Sequence, residues 1–129
     1  IKIGIGDVTG HGLESGVLML MVQTAVRTLI ANNERDPKQF LNVINQVVFQ
    51  NNQRMNLDRN LTLSLLDYRE GVLSLTGQHE EVIVVRANGT VERVDTVDLG
   101  FPVGLEYDIQ DFIAEAKITL NKGDSVVLY

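Results

Sequence analysis

The sequence contains no cysteine among its 129 residues. That excludes a disulfide framework, a zinc–thiolate site and an iron–sulfur cluster, and it permits a reducing compartment. Histidine is scarce, at two residues, too few for a histidine-rich metal centre. Any metal would be a hard cation held by oxygen, such as magnesium, manganese or calcium. Positive charge is the scarcer sign: 11 Lys and Arg face 17 Asp and Glu, a net charge of −6. Nucleic acid is therefore not expected as a partner, because phosphate binding needs a basic face. Long apolar runs are missing too. The longest, Val17 to Val22, falls far short of the roughly 20 residues of a spanning helix. No basic segment precedes an apolar stretch near the start, as a signal peptide would require. No direct membrane contact is expected.

What remains is ordinary for a globular domain: 44% hydrophobic and 22% charged residues. A chain of this size buries roughly two-thirds of its unfolded surface, enough for one real core. Residues 1–129 read as a single unit without internal repeat or linker. Ile1 and Tyr129 both fall inside apolar alternations, so the chain reads as part of a longer polypeptide.

Ile1 to Gly6 alternates as a strand does. A glycine-rich loop, Gly6-Asp7-Val8-Thr9-Gly10-His11-Gly12, follows. A helix is predicted from about Leu13 to Ala31, apolar nearly all round over 17–22 and hence well buried. Asp36-Pro37 reads as an N-cap and first-turn proline. They open a helix to about Gln53 with Phe40, Leu41, Ile44, Val47 and Val48 on its stripe. Asn51 to Asn60 reads as a loop. The helical part thus covers about 12–53. From about 60 to 129 the period becomes two. Strands are predicted at 61–66, 72–76, 81–87, 90–94, 112–120 and 125–129, with turns at Arg69-Glu70-Gly71, Asn88-Gly89 and Lys122-Gly123-Asp124. Helices first and hairpins second argue for an α+β fold with antiparallel sheets.

Three readings of residues 4–16 compete. One is a plain strand-to-helix turn, with glycines supplying positive φ and Asp7 as a turn residue. Another is a phosphate or dinucleotide cradle. Gly10-x-Gly12-x-x-x-Gly16 departs from the G-x-G-x-x-G spacing, however, no P-loop lysine is present, and Asp7 would repel phosphate. The third is a metal site, in which a strand-end aspartate and nearby backbone carbonyls converge on one hard cation.

Gly6-Asp7-Val8-Thr9-Gly10-His11-Gly12 followed by a long apolar helix resembles the metal-dependent, type 2C protein phosphatases, and most closely their bacterial sporulation-stage-II-E and sigma-regulator branch. Asn60 to Asp67 looks like that branch's central strand, with Thr62 at its threonine. Gly77-Gln78-His79 looks like its glycine–histidine turn, with glutamine where glycine is usual. Gly100-Phe101-Pro102-Val103-Gly104-Leu105 and Lys122 to Tyr129 match two further motifs in order. The resemblance implies a layered αββα sandwich of antiparallel sheets flanked by helices, incomplete at both ends here.

By that resemblance, Asp7 bridges two divalent cations, Mn²⁺ or Mg²⁺, and the Val8 backbone carbonyl ligates one of them. The cations activate a water for in-line attack on phosphoserine or phosphothreonine. Thr9, Gly10 and His11 are possible supporting residues. His11 stands four residues after Asp7, so the general-acid role of the eukaryotic enzymes does not transfer to it. His79 reads as a structural turn residue. Asp67, Asp98, Asp108, Asp111 and Asp124 are expected in solvent. The implied substrate is a phosphorylated anti-anti-sigma-like protein, with an upstream sensor or receiver domain, a cytoplasmic location and a possible homodimer. The alternative is a catalytically inactive phosphatase-like module that binds a partner. Either way, this chain alone is expected to be inactive, since one carboxylate cannot hold two hard cations against their hydration.

Overall fold

The computed structural model describes all of residues 1–129. In chain order they form β1 (Lys2–Val8), α1 (Leu13–Ala31), α2 (Pro37–Met55), β2 (Leu61–Arg69), β3 (Val72–Thr76), β4 (Val82–Val85), β5 (Val91–Val94), β6 (Glu115–Thr119) and β7 (Ser125–Val127). Four strands make one sheet in the order β1-β2-β3-β6, and three make a second in the order β5-β4-β7. Every pairing is antiparallel.

The alternation in β2 decides the layering, because successive side chains point to opposite faces. Leu61 and Leu63 join Leu18, Phe40, Leu41, Ile44 and Val48 in a core between the larger sheet and the helices. Leu66, on the other face, joins Leu75, Val82, Val84 and Ile118 in a core between the two sheets. Over these residues the layers are helices, sheet, sheet.

The cap at Asp36 forms as its sequence requires. Its Oδ1 accepts from Lys38 N at 2.9 Å and Gln39 N at 3.4 Å, with Pro37 in the first turn; such a cap contributes about 1 kcal/mol. Helix α2 runs two residues further than the periodicity suggested, to Met55, and ends on Asn56 in a left-handed conformation (φ 51°). Part of the expected loop at 51–60 is therefore helical. Val47 leaves the buried stripe and turns toward α1, while three asparagines, Asn42, Asn45 and Asn52, are buried instead. Asn45 shows why. Its amide donates to the carbonyls of Glu106 (2.8 Å) and Tyr107 (3.0 Å) and accepts from Gly104 N (2.8 Å), fastening the loop after Pro102 to the helix.

Several expectations are corrected. Helix α1 has the predicted limits but buries only Ser15, Leu18 and Val22. An apolar composition all round had suggested deep burial, yet its main packing partners are α2 and β1, and Val17, Met19 and Leu20 stay exposed. By length and composition alone, its 19 residues with mean hydropathy 1.3 could cross a membrane; counting only the uninterrupted run Val17 to Val22 missed this. The strand expected over 112–120 starts only at Glu115, because Gln110–Phe112 makes a 3₁₀ turn that stacks Phe112 on Phe101 at 4.7 Å. The Asn88-Gly89 hairpin has a three-residue loop. Arg86 N bonds Thr90 O, Gly89 N bonds Arg86 O, and only Gly89 takes positive φ. The carboxylate of Asp124 is not solvated. Its side chain is 3% exposed and accepts from Asn121 N (2.9 Å), Arg86 Nη1 (2.8 Å) and Ala87 N (3.0 Å). Asp67 sits within β2, paired with Arg69 at 2.8 Å and Lys2 at 3.5 Å.

Candidate functional site

Strand β1 does not stop at Gly6. Pairing with β2 continues through Asp7↔Thr62 and Val8↔Leu61, so Asp7 and Val8 stand on the strand's last residues rather than in a loop. Gly6 permits this, because a Cβ there would run into the Thr62 carbonyl oxygen. Asp7 and Thr62 are directly opposite and share a face. That face carries Ile5 and Leu66, hence the inter-sheet side. Asp7 thus lies exposed where the layer between the two sheets opens to solvent.

The register also decides where the Val8 carbonyl points. Thr9 N donates to Asn60 O at 2.9 Å, which makes Thr9 and Asn60 a hydrogen-bonded pair. Hydrogen-bonded and non-hydrogen-bonded pairs alternate along an antiparallel ladder. Val8↔Leu61 is therefore of the second kind, and Leu61 exchanges its backbone bonds with Val103 instead (3.1 and 2.8 Å). The Val8 carbonyl faces the other side of β1, which is the sheet's edge, and it is free to accept.

Of the other predicted residues, Thr9 is structural. Its hydroxyl donates to Asn60 O (3.0 Å) and accepts from Asn60 N (3.1 Å), and its carbonyl accepts from Ser15 Oγ (3.2 Å). These bonds clamp the start of α1 to the start of β2. Gly10 lies under the Arg59 guanidinium, which pairs with Glu14 at 2.9 Å. His11 is exposed and makes no side-chain hydrogen bond, so nothing ties it to Asp7.

Asp7 lines an open cleft of about 690 Å³ together with Thr62, His79, Glu80 and Tyr129. His79 was read as a turn residue, yet the fold brings it to the aspartate's side. Its Nδ1 lies 2.7 Å from Thr62 Oγ1. Its backbone is held from behind by the fully buried Thr96, whose hydroxyl accepts from His79 N (2.9 Å) and bonds the His79 carbonyl. Two glycines press this turn into place. Gly77 has φ +90°, and a Cβ on it would strike the Leu63 carbonyl. A Cβ on Gly100 would come within 2.7 Å of Gly77 Cα. The sequence signal available was the pairing of a threonine at 62 with a histidine in the glycine turn. Neither residue reveals the contact alone.

The cleft's donors are mostly hard oxygens, the Asp7 and Glu80 carboxylates and several hydroxyls, with one imidazole beside them. They suit an oxygen-ligated divalent cation through Asp7 and the Val8 carbonyl. Nowhere does the chain gather three Asp, Glu or His side chains able to hold a metal ion, so it supplies only part of a ligand set. A more enclosed cavity of about 460 Å³ lies at the opposite end of β1, among Lys2, Arg35, Phe40, Asp67 and Lys117. Its charges are partly committed to structural ion pairs. Asp67 shows this: burial opposes its ionisation, but Arg69 and Lys2 hold its carboxyl below the usual range. Chemistry is better served by the cleft at Asp7.

Residues 1–129 match the family model "Stage II sporulation protein E (SpoIIE)" over their whole length. Solved structures with the same fold include the SiaA PP2C domain of Pseudomonas aeruginosa, with TM-score 0.73, 20% identity, and coverage of 97% of this chain and 48% of that one. The RsbU and RsbW domains of a Mycobacterium tuberculosis protein give TM-score 0.71 at 20% identity, covering 97% and 33%. The catalytic domain of the serine/threonine phosphatase PstP, solved with two manganese ions, gives 0.67 at 14%, covering 95% and 64%. The chain thus spans between a third and two-thirds of the length of these structures. No curated protein sequence matches significantly. Full-length family match and shared architecture together make this chain a member of the SpoIIE family, with the fold of PP2C-type phosphatases.

Proposed function

We propose that the protein carrying these residues is a metal-dependent serine/threonine protein phosphatase, and that the cleft at Asp7 is its reaction site. One observation carries this reading. An exposed carboxylate and a free backbone carbonyl stand on adjacent residues at the end of an edge strand, at the mouth of the inter-sheet layer. Asp7 and the Val8 carbonyl would hold part of a magnesium or manganese site. The manganese bound in the PstP structure supports this choice of metal. When bound, such cations supply Lewis acidity and neutralise phosphoryl charge. Other residues of this chain position that part of the site. Gly6 lets β1 lie close against β2, Thr9 and Asn60 hold the strand end, and Ser15 anchors α1 behind it.

The proposed substrate is a phosphorylated signalling protein of the anti-anti-sigma kind, dephosphorylated in the cytoplasm. Family membership and the likeness to a chain with RsbU and RsbW domains support it. The test uses the full-length protein with manganese and a phosphoserine substrate. Hydrolysis should fall at least about 100-fold in Asp7→Asn, and calorimetry should show weakened manganese binding in the same variant. A full-length protein that binds its partner but neither binds manganese nor hydrolyses phosphoserine would replace this reading with the inactive-module one.

A further inference from the structure

We infer that His79 is a phosphoryl-contacting residue: Thr62 holds its ring so that Nε2 donates a hydrogen bond to an oxygen of the bound phosphate. This rests on the phosphatase reading above and adds a residue to it.

The first argument is an inventory of donors. No lysine or arginine lines the cleft, although a phosphoryl group needs hydrogen-bond donors as well as cations. The hydroxyl of Thr9 is already shared between the carbonyl and amide of Asn60, and that of Thr62 is engaged with His79. Asp7 and Glu80 are acceptors when ionised. Asn60 and Tyr129 also line the cleft and bring an amide and a phenol, but of the three remaining donors only the His79 imidazole is itself held in place by a side-chain hydrogen bond. When the Thr62 hydroxyl donates to Nδ1, the neutral ring carries its proton on Nε2. Nothing in the chain hydrogen-bonds Nε2.

The second argument is the cost of the placement. His79 is half-buried and its backbone is bonded on both sides by a buried threonine. The turn carrying it is pressed so close to β2 and to Gly100 that Gly77 and Gly100 have no room for a Cβ. A residue that merely reverses the chain needs none of this. A side chain whose ring must sit within a few tenths of an ångström of one position needs all of it.

Phosphate binding by the full-length protein tests this without depending on turnover. With ¹⁵N-labelled histidine and saturating magnesium, titration with inorganic phosphate should shift the His79 Nε2 resonance and leave that of His11 unmoved. His79→Ala should weaken phosphate binding about 10- to 100-fold, the range for a hydrogen bond to a charged group. His79→Gln, which keeps a donor at the same reach, should recover most of it, and Thr62→Val should fall between. In turnover, His79→Ala should lower kcat/KM by a similar factor with manganese binding unchanged. A His79 resonance that stays still at saturating phosphate would overturn the inference. So would phosphate binding that is absent altogether, or equally tight in His79→Ala and wild type. If Asp7→Asn abolishes hydrolysis while His79→Ala leaves it and phosphate binding untouched, this inference fails and the phosphatase reading stands. If phosphate shifts His79 but no substrate is hydrolysed, the reverse holds.

Discussion

Replacing Gly77 by alanine isolates the close approach that delivers His79 to the cleft. Two costs apply. The residue sits at φ +90°, where an L side chain costs about 1–2 kcal/mol. Its new Cβ would also meet the Leu63 carbonyl and stand 3.3 Å from Leu41 Cδ2. Leu63 is a central-strand backbone that cannot easily give way, and overpacking of this kind costs about 1–3 kcal/mol. The sum, about 2–5 kcal/mol, is a large part of the roughly 5–15 kcal/mol that stabilises a domain. Gly89→Ala is the control. Gly89 has φ +86° but nothing within 4 Å of its would-be Cβ, so it bears only the conformational cost of about 1–2 kcal/mol. Urea unfolding followed by circular dichroism should place the Gly77→Ala midpoint well below that of Gly89→Ala at equal m-value. The His79 ring signals should move in Gly77→Ala alone. Equal midpoints for the two variants would refute the claim that the turn is pinned sterically, and with it the placement of His79.

Asn45→Ala should destabilise by about 2–3 kcal/mol, because it strands the Gly104 N–H and two carbonyls that the amide now satisfies; urea unfolding checks it, and a loss under about 0.5 kcal/mol would refute it. The Asp124 carboxyl is held below the usual 3.8 by the Asn121 N–H first, then by Arg86 and the Ala87 N–H. A depressed folded-state pKa adds stability above the unfolded value and loses it as pH falls through the folded one. Wild type should therefore lose stability below about pH 3.8 more steeply than Asp124→Asn, measured by thermal melts across pH 2 to 6; parallel profiles would refute it. Chelation should not lower the melting temperature of this chain, since neither core contains a group able to hold a metal; a drop on adding EDTA would show a structural cation.

Period-two alternation carried most of the fold. The hairpin from Leu61 to Thr76 could be read because Leu61, Leu63 and Leu66 must choose faces, and a one-residue slip would expose all of them. The start of α2 was legible because the Asp36 side chain bonds the backbone there, and both limits of α1 because glycines precede it and Asn32-Asn33 follow it. The end of α2 was not, because the polar residues after Gln53 read equally well as loop. Burial was the weaker reading. Composition marks α1 as apolar but says nothing of what lies against it, and only Ser15, Leu18 and Val22 of its residues are buried. The buried asparagines of α2 were invisible for a related reason. Asn45 looks like a surface residue until the loop after Pro102 folds back on it.

The site divides along the same line. Asp7 and Val8 are candidates through the resemblance of one local motif, and their placement is set by the strand they end. His79 could not be placed locally. Its contact joins residues 17 apart in sequence, and the evidence for it lies in what its neighbours lack: a side chain at Gly77 and another at Gly100. A histidine in a glycine turn is common, and a threonine in a central strand is commoner. Only when β2 and the turn are laid side by side does the sequence spend two glycines and a buried threonine on one ring. That asymmetry is also why Asp7 and His79 call for different experiments. Removing the Asp7 carboxylate tests whether a cation is held. Removing the His79 ring while keeping the donor, as His79→Gln does, tests whether the fold's investment in that turn serves phosphate rather than chain reversal.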